Sequence, residues 1–182
     1  MKKNIKYWAL LPLVALLGAC VSDEENGDVL FQQELDKIET YIQNFPTEYE
    51  RRETIEGTGI EILFTEVVEE GELAQFRDTL FVNYTGMLLD NTVFDTSLEQ
   101  VARDNNLFNE SRNYEPFALV LGVSGVISGW EGALSRMKEG EKATALIPSI
   151  YGYGDRATGP IPANSVLVFE LDLTENRPYQ QP

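Results

Sequence analysis

The side chains that could do chemistry in this sequence are aromatic rings, tyrosine hydroxyls and carboxylates. There are nine Phe, eight Tyr and two Trp but no His, which removes histidine-based triads and the commonest zinc ligand together. A single cysteine, Cys20, cannot form an internal disulfide. The aromatic and polar groups collect in short runs. These are Val82-Asn83-Tyr84-Thr85-Gly86-Met87-Leu88, Val93-Phe94-Asp95-Thr96-Ser97, Pro116-Phe117 with Leu121-Gly122, and Val126-Ile127-Ser128-Gly129-Trp130-Glu131-Gly132-Ala133. Pro148, Tyr151-Gly152-Tyr153-Gly154, Ile161-Pro162 and Leu167-Val168-Phe169 follow. Taken singly, each group reads as scaffold. Trp130, Phe94, Phe117, Val126, Ile127 and Phe169 would pack a core in any protein. Tyr84 and Tyr153 suit strand ends, Asp95 suits a turn beside Thr96 and Ser97, and Gly152 and Gly154 permit a tight turn.

Taken jointly, the order and most spacings of these runs resemble the FKBP family of prolyl isomerases, over roughly 53–177. The resemblance implies an α+β fold: a curved five-stranded antiparallel sheet wrapped around one short helix, with an apolar pocket between them. It also implies roles. Trp130 would floor the pocket under a proline ring, and Tyr84, Phe94, Phe117, Val126, Ile127 and Phe169 would wall it. Asp95 would sit at its edge, Tyr153 would offer a hydroxyl to a substrate carbonyl, Ile127 would offer its backbone N–H, and Ile161 would lie on the loop lip. Asp95, Tyr153, Trp130 and Phe94 are the expected catalytic set.

The implied reaction suits this inventory. Rotating an X–Pro bond means breaking amide resonance, against a barrier of ~18–20 kcal/mol, and unassisted exchange takes tens to hundreds of seconds. No bond to hydrogen breaks, so no nucleophile, metal or cofactor is required. The twisted amide has lost its charge separation, so a dry apolar site favours it over the planar ground state. Fixed donors hold the chain while the bond turns. The expected partners are X–Pro segments of unfolded or exported proteins, and macrolide inhibitors of the family. A formal charge of −16 argues against nucleic acid, which needs a basic footprint.

The sequence departs from the family pattern in three places. The stretch 98–115 is longer than in minimal members, and reads as a surface insertion or as an extension of the pocket rim. Gly125 stands where an acidic residue is common. Asp155-Arg156-Ala157-Thr158-Gly159-Pro160 reshapes the loop before Ile161.

The elements that must position these groups are read from periodicity. Strands are predicted over 59–67, 78–88, 117–121, 142–148 and 165–173, and a short helix within 126–139 ending at Glu139-Gly140. Upstream, Leu30, Phe31, Leu35, Ile38, Tyr41, Ile42 and Phe45 recur at helical spacing, predicting an amphipathic helix over 29–44 capped by Asp28. Its stripe packs on the main domain or forms a dimer seam.

The first residues read as an export signal. Lys2, Lys3 and Lys6 precede an apolar run too short to span a bilayer comfortably. Leu17-Gly18-Ala19-Cys20 resembles the lipobox of bacterial lipoproteins, which implies acylation at Cys20 and attachment to the cell envelope, at the outer membrane. The acidic residues that follow read as a solvated tether, and they also resemble surface-export signals of Bacteroidota lipoproteins. The expected organisation is a signal peptide over 1–19, acylated Cys and tether over 20–28, helix and linker over 29–52, the isomerase domain over 53–178 and a tail over 179–182. Two other functions fit the same residues: a binding module that keeps the fold without turnover, and a structural lipoprotein of an envelope complex for secretion or gliding.

Overall fold

The central strands are buried on both faces, and each face of the antiparallel sheet is covered by one helix. A computed structural model describes residues 23–180. The expected signal peptide, Cys20 and the final two residues lie outside them. In chain order the elements are α1 (Asp23–Gln43), β1 (Arg51–Ile55), β2 (Ile60–Glu66), β3 (Thr79–Leu88), β4 (Val93–Thr96), α2 (Glu99–Asp104), β5 (Phe117–Val120), α3 (Ser128–Leu134), β6 (Lys142–Ile147), a single 3-10 turn (Ser149–Tyr151) and β7 (Leu167–Arg177).

The sheet runs β1-β2-β6-β7-β3-β4. Strand β7 pairs with the whole of β3, from Thr79 to Leu88. The other edge of β3 is shared, β5 pairing with Thr79 to Val82 and β4 with Thr85 to Met87. The five expected strands are present as β2, β3, β5, β6 and β7. Two more, β1 and β4, bring the sheet to seven, so the expected five-stranded count is corrected. The ladder is broken by register shifts at Thr65 of β2, Phe94 of β4 and Thr174 of β7, and such bulges bend a strand and increase its twist.

One face of the sheet holds the main core. Ile60, Ile62 and Phe64 from β2, Ala143, Ala145 and Ile147 from β6, and Leu167, Phe169, Leu171 and Leu173 from β7 meet Trp130, Ala133 and Leu134 of α3 there. The helix lies close enough to the sheet that a Cβ on Gly129 would sit 2.3 Å from Ile147 Cγ2. This helix is shorter than the sequence suggests. After Leu134 the chain tightens, with Arg136 N–H donating to Ala133 O and Met137 N–H to Leu134 O, so Met137 and Lys138 fall outside it.

The opposite face is covered by α1. Ile38 and Ile42 pack there with Leu63, Leu146, Val168, Val166 and Met87. The second buried face of β2, β6 and β7 is therefore covered by α1, and the predicted apolar stripe docks on its own domain. The helix begins at Asp23, not at residue 29, and takes in the acidic run expected to be tether.

Candidate active site

Every one of the ten side chains assigned to the pocket from sequence lines a single cavity of about 490 Å³ between α3 and the sheet. Tyr84, Phe94, Asp95, Phe117, Val126, Ile127, Trp130, Tyr153, Ile161 and Phe169 are all in its wall, joined by Gly125, Thr158, Gly159 and Pro160. The elements explain the convergence. Tyr84 points to the α3 side of β3 by alternation with Leu80 and Val82. Phe94 and Asp95 come from β4, Phe169 from β7, Trp130 from α3, and Ile127 is the extended residue just before α3.

Trp130 forms the floor. It is only 5% exposed, and its ring meets Tyr84, Phe169 and Phe117 edge-on at centroid distances of 5.1, 5.4 and 5.9 Å. Phe94 meets Phe169 edge-on at 5.6 Å. Edge-on aromatic contacts of this kind add to simple burial, so the rings fix one another.

The polar groups lie at one side. Tyr84 Oη donates to Asp95 Oδ2 at 2.6 Å, and Asp95 Oδ1 accepts the Thr96 N–H at 2.9 Å. Arg112 donates to Asp95 Oδ1 at 2.5 Å and to Tyr84 Oη at 3.1 Å. Burial, followed by the hydrogen bond and negative charge of Asp95, pushes the Tyr84 hydroxyl up to about 12, with Arg112 partly opposing. Tyr84 is thus a neutral donor across the physiological range. Its backbone is clamped as well: its carbonyl accepts from Ser97 N–H and Thr96 Oγ1, and its N–H donates to Ser97 Oγ.

Nothing in the sequence singles out Arg112. It belongs to the stretch 98–115, and reading that stretch as a bare surface insertion is corrected by its contacts. The insertion is braced internally. Arg103 lies 3.4 Å over the Phe108 ring, Phe108 stacks on Tyr114, and Tyr114 Oη accepts the Asn109 N–H. That platform presents Arg112 to the carboxylate. Nothing local in the sequence marks it, because its partners stand 17 and 28 residues away.

Across the cavity, Tyr153 stands at the rim, 38% exposed. Neither its hydroxyl nor the Ile127 N–H has a hydrogen-bond partner among the described residues. Both are donors open to a ligand. The lip is a tight hairpin in which Thr158 and Ile161 exchange both backbone hydrogen bonds, at 2.9 and 3.0 Å. The result is a ring-lined, mainly apolar cavity with two open donors and one braced carboxylate, suited to holding an apolar ring and its adjoining carbonyls.

The segment that holds the cavity is similar to known proteins. Residues 70–174 match the family model for FKBP-type peptidyl-prolyl cis-trans isomerase. The chain is 43% identical over 98 residues to FK506-binding protein 2 of Debaryomyces hansenii, covering 54% of this chain and 63% of that protein. It is also 43% identical over 97 residues to human peptidyl-prolyl cis-trans isomerase FKBP2, covering 53% of this chain and 59% of that one. The chain thus spans about three-fifths of these curated relatives. The crystal structure of FkpA from Escherichia coli is similar at a TM-score of 0.58 and 29% identity, over 87% of this chain and 75% of that one.

Proposed function

This chain belongs to the FKBP-type peptidyl-prolyl cis-trans isomerase family, and on that premise we propose that it catalyses cis–trans exchange of X–Pro bonds, assisting the folding of exported proteins. The observation that carries the reading is the convergence of the ten side chains on one cavity floored by Trp130. A proline ring seats against Trp130 among Tyr84, Phe94 and Phe169. Tyr153 Oη and the Ile127 N–H hold carbonyls on either side of the bond. The dry surroundings favour the twisted amide, and Asp95 is kept in place by Tyr84 and Arg112. Macrolides of the kind named in the FK506-binding relatives are expected to compete for the same cavity.

The test is catalysed exchange of a short Leu–Pro peptide by the full chain, with Asp95→Val and Tyr153→Phe alongside. Tyr153→Phe deletes one hydrogen bond and is expected to lower kcat/KM about 2- to 10-fold. Asp95→Val leaves Tyr84 and Arg112 without their acceptor and is expected to lower it further. A folded chain that does not accelerate exchange rules out turnover on this substrate class.

Export and anchoring belong to the same reading: the leader is removed before Cys20 and the cysteine is acylated, placing the domain at the cell envelope, at the outer membrane. The support is the sequence Leu17-Gly18-Ala19-Cys20 behind a basic and apolar leader. Cells fed an alkyne-labelled palmitate should label this chain, and Cys20→Ser should abolish the label. Labelling that survives Cys20→Ser removes the anchor at that position.

A further inference from the structure

Helix α1 carries one residue that its apolar stripe does not explain. Glu34 lies one helical turn before Ile38 and two before Ile42 on the buried side, and it is itself only 1% exposed. A carboxylate in such a place costs free energy unless its oxygens are bonded. Both are bonded to one residue. Glu34 Oε2 accepts the Ser149 N–H at 2.9 Å, and Glu34 Oε1 accepts the Ser149 hydroxyl at 2.6 Å.

Ser149 opens the segment that delivers Tyr153. Its carbonyl accepts the Gly152 N–H at 2.9 Å and the Gly154 N–H at 2.8 Å, bracketing Tyr153 on both sides. The carbonyl of Gly154 then accepts the Asn164 N–H at 2.8 Å, tying in the far end of the loop that carries Thr158 to Ile161. One continuous run of hydrogen bonds therefore links α1, on the far face of the sheet, to the rim of the cavity. Helix α1 lies wholly outside the segment matched by the family model, 70–174, so this anchor is an addition to the matched domain.

We propose that Glu34 is a positioning residue for the isomerase site, holding Tyr153 and its loop in place through Ser149. The inference rests on the proposed isomerase reading for its kinetic consequence, while its structural half stands alone. A helix that only covered the opposite face would need another apolar residue at position 34. The bidentate acceptor fixes both the position and the rotation of Ser149, which a hydrophobic contact cannot do.

The test uses the full chain and two readouts. Glu34→Ala is expected to lower kcat/KM about 3- to 10-fold, a fraction of what lost hydrogen bonds to a charged group are worth, because Glu34 reaches the site only through Ser149. In a Tyr153→Phe background the same substitution should cost less than about 2-fold, because groups acting through one another are not additive. Glu34→Gln keeps an acceptor for the N–H and turns a donor to the hydroxyl, and should stay within about 2-fold of the parent. Ser149→Ala removes one of the two bonds and should show a smaller loss in the same direction, which covers the case of Glu34→Ala not folding. Amide hydrogen exchange at Gly152 and Gly154 is read on the same variants. It should quicken while the Gly140 amide, bonded to Leu173 O, keeps its rate. Losses that multiply fully in the double variant, or unchanged exchange at Gly152 and Gly154, overturn the proposal. If the parent chain proves inactive, the isomerase reading fails, and the exchange rates alone decide whether Glu34 holds the loop.

Discussion

Trp130→Ala is expected to lower the free energy of unfolding by about 3–5 kcal/mol, the range for deleting a large buried aromatic. The ring is 5% exposed and meets three other aromatic rings within 6 Å, so the space it leaves borders Tyr84, Phe117 and Phe169 together. Because α3 is pressed onto β6 at Gly129, the helix cannot move inward to close the gap. Two further consequences separate the core role of the ring from its role as floor. Trp130 Nε1 is buried without a hydrogen-bond partner among the described residues, and an unmet donor is itself costly. Trp130→Phe removes that group along with part of the volume, and is expected to lose only about 1–2 kcal/mol. If the ring also seats the substrate, Trp130→Phe should retain most of the turnover while Trp130→Ala loses it at denaturant concentrations where both are folded. Equilibrium denaturation with an unchanged m-value is the measurement. A midpoint shift worth less than about 1 kcal/mol for Trp130→Ala would mean that the ring is not part of the packed core.

The parts of this molecule that were legible in the sequence are those with a periodic or motif-like signature. Strands β2, β3, β6 and β7 carry alternating or continuous apolar runs, and the ten pocket residues fall in the motif-like runs: Tyr84 and Phe169 on two of these strands, the others on β4, β5, α3 and the loops beside them. Strand β1 is not legible because Arg51-Arg52-Glu53-Thr54-Ile55 has almost no apolar pattern. It is an edge strand held by polar pairs, Arg52 to Glu61 at 2.8 Å and Thr54 to Glu61 at 2.9 Å. Strand β4 is only four residues long, and its pairing with β3 is a through-space fact. The acidic residues at the start of α1 read as solvated linker because composition does not distinguish a tether from the charged first turns of a helix. Arg112 and Glu34 are the instructive omissions. Each is a charged residue whose significance lies entirely in partners distant along the chain, Asp95 and Ser149, and no local pattern encodes that. The family resemblance told which side chains build the cavity; only the fold told which ones hold them there.

Gly86 is the position where a single methyl group is expected to disturb both stability and the cavity. It sits in β3, with Asp95 across one ladder and Phe169 across the other. Glycine inside a strand normally weakens it, and often marks close approach by another group. Here the approach is by two rings at once. A Cβ at residue 86 would stand 2.6 Å from Phe94 Cε2 and 2.7 Å from Phe169 Cε1, both far inside contact distance. Those rings are already locked edge-on to each other, so neither can swing away without moving the other. Gly86→Ala should therefore carry an overpacking cost of about 1–3 kcal/mol, offset by roughly 0.4–1 kcal/mol from the stiffer unfolded chain. Net destabilisation follows, accompanied by a fall in kcat/KM because the displaced rings are two walls of the cavity. The cause is checked by compensation. Phe94→Leu in the Gly86→Ala background makes room for the methyl and should recover part of the lost stability, a coupling expected between residues in contact. Turnover should not recover with it, since Phe94 is itself a wall. If Gly86→Ala proves neutral, or if the two substitutions add independently, the glycine is not what lets Phe94 and Phe169 close over the strand. The shape of that side of the cavity would then have to be set by the bulge that β4 makes at Phe94, opposite Gly86 and Met87.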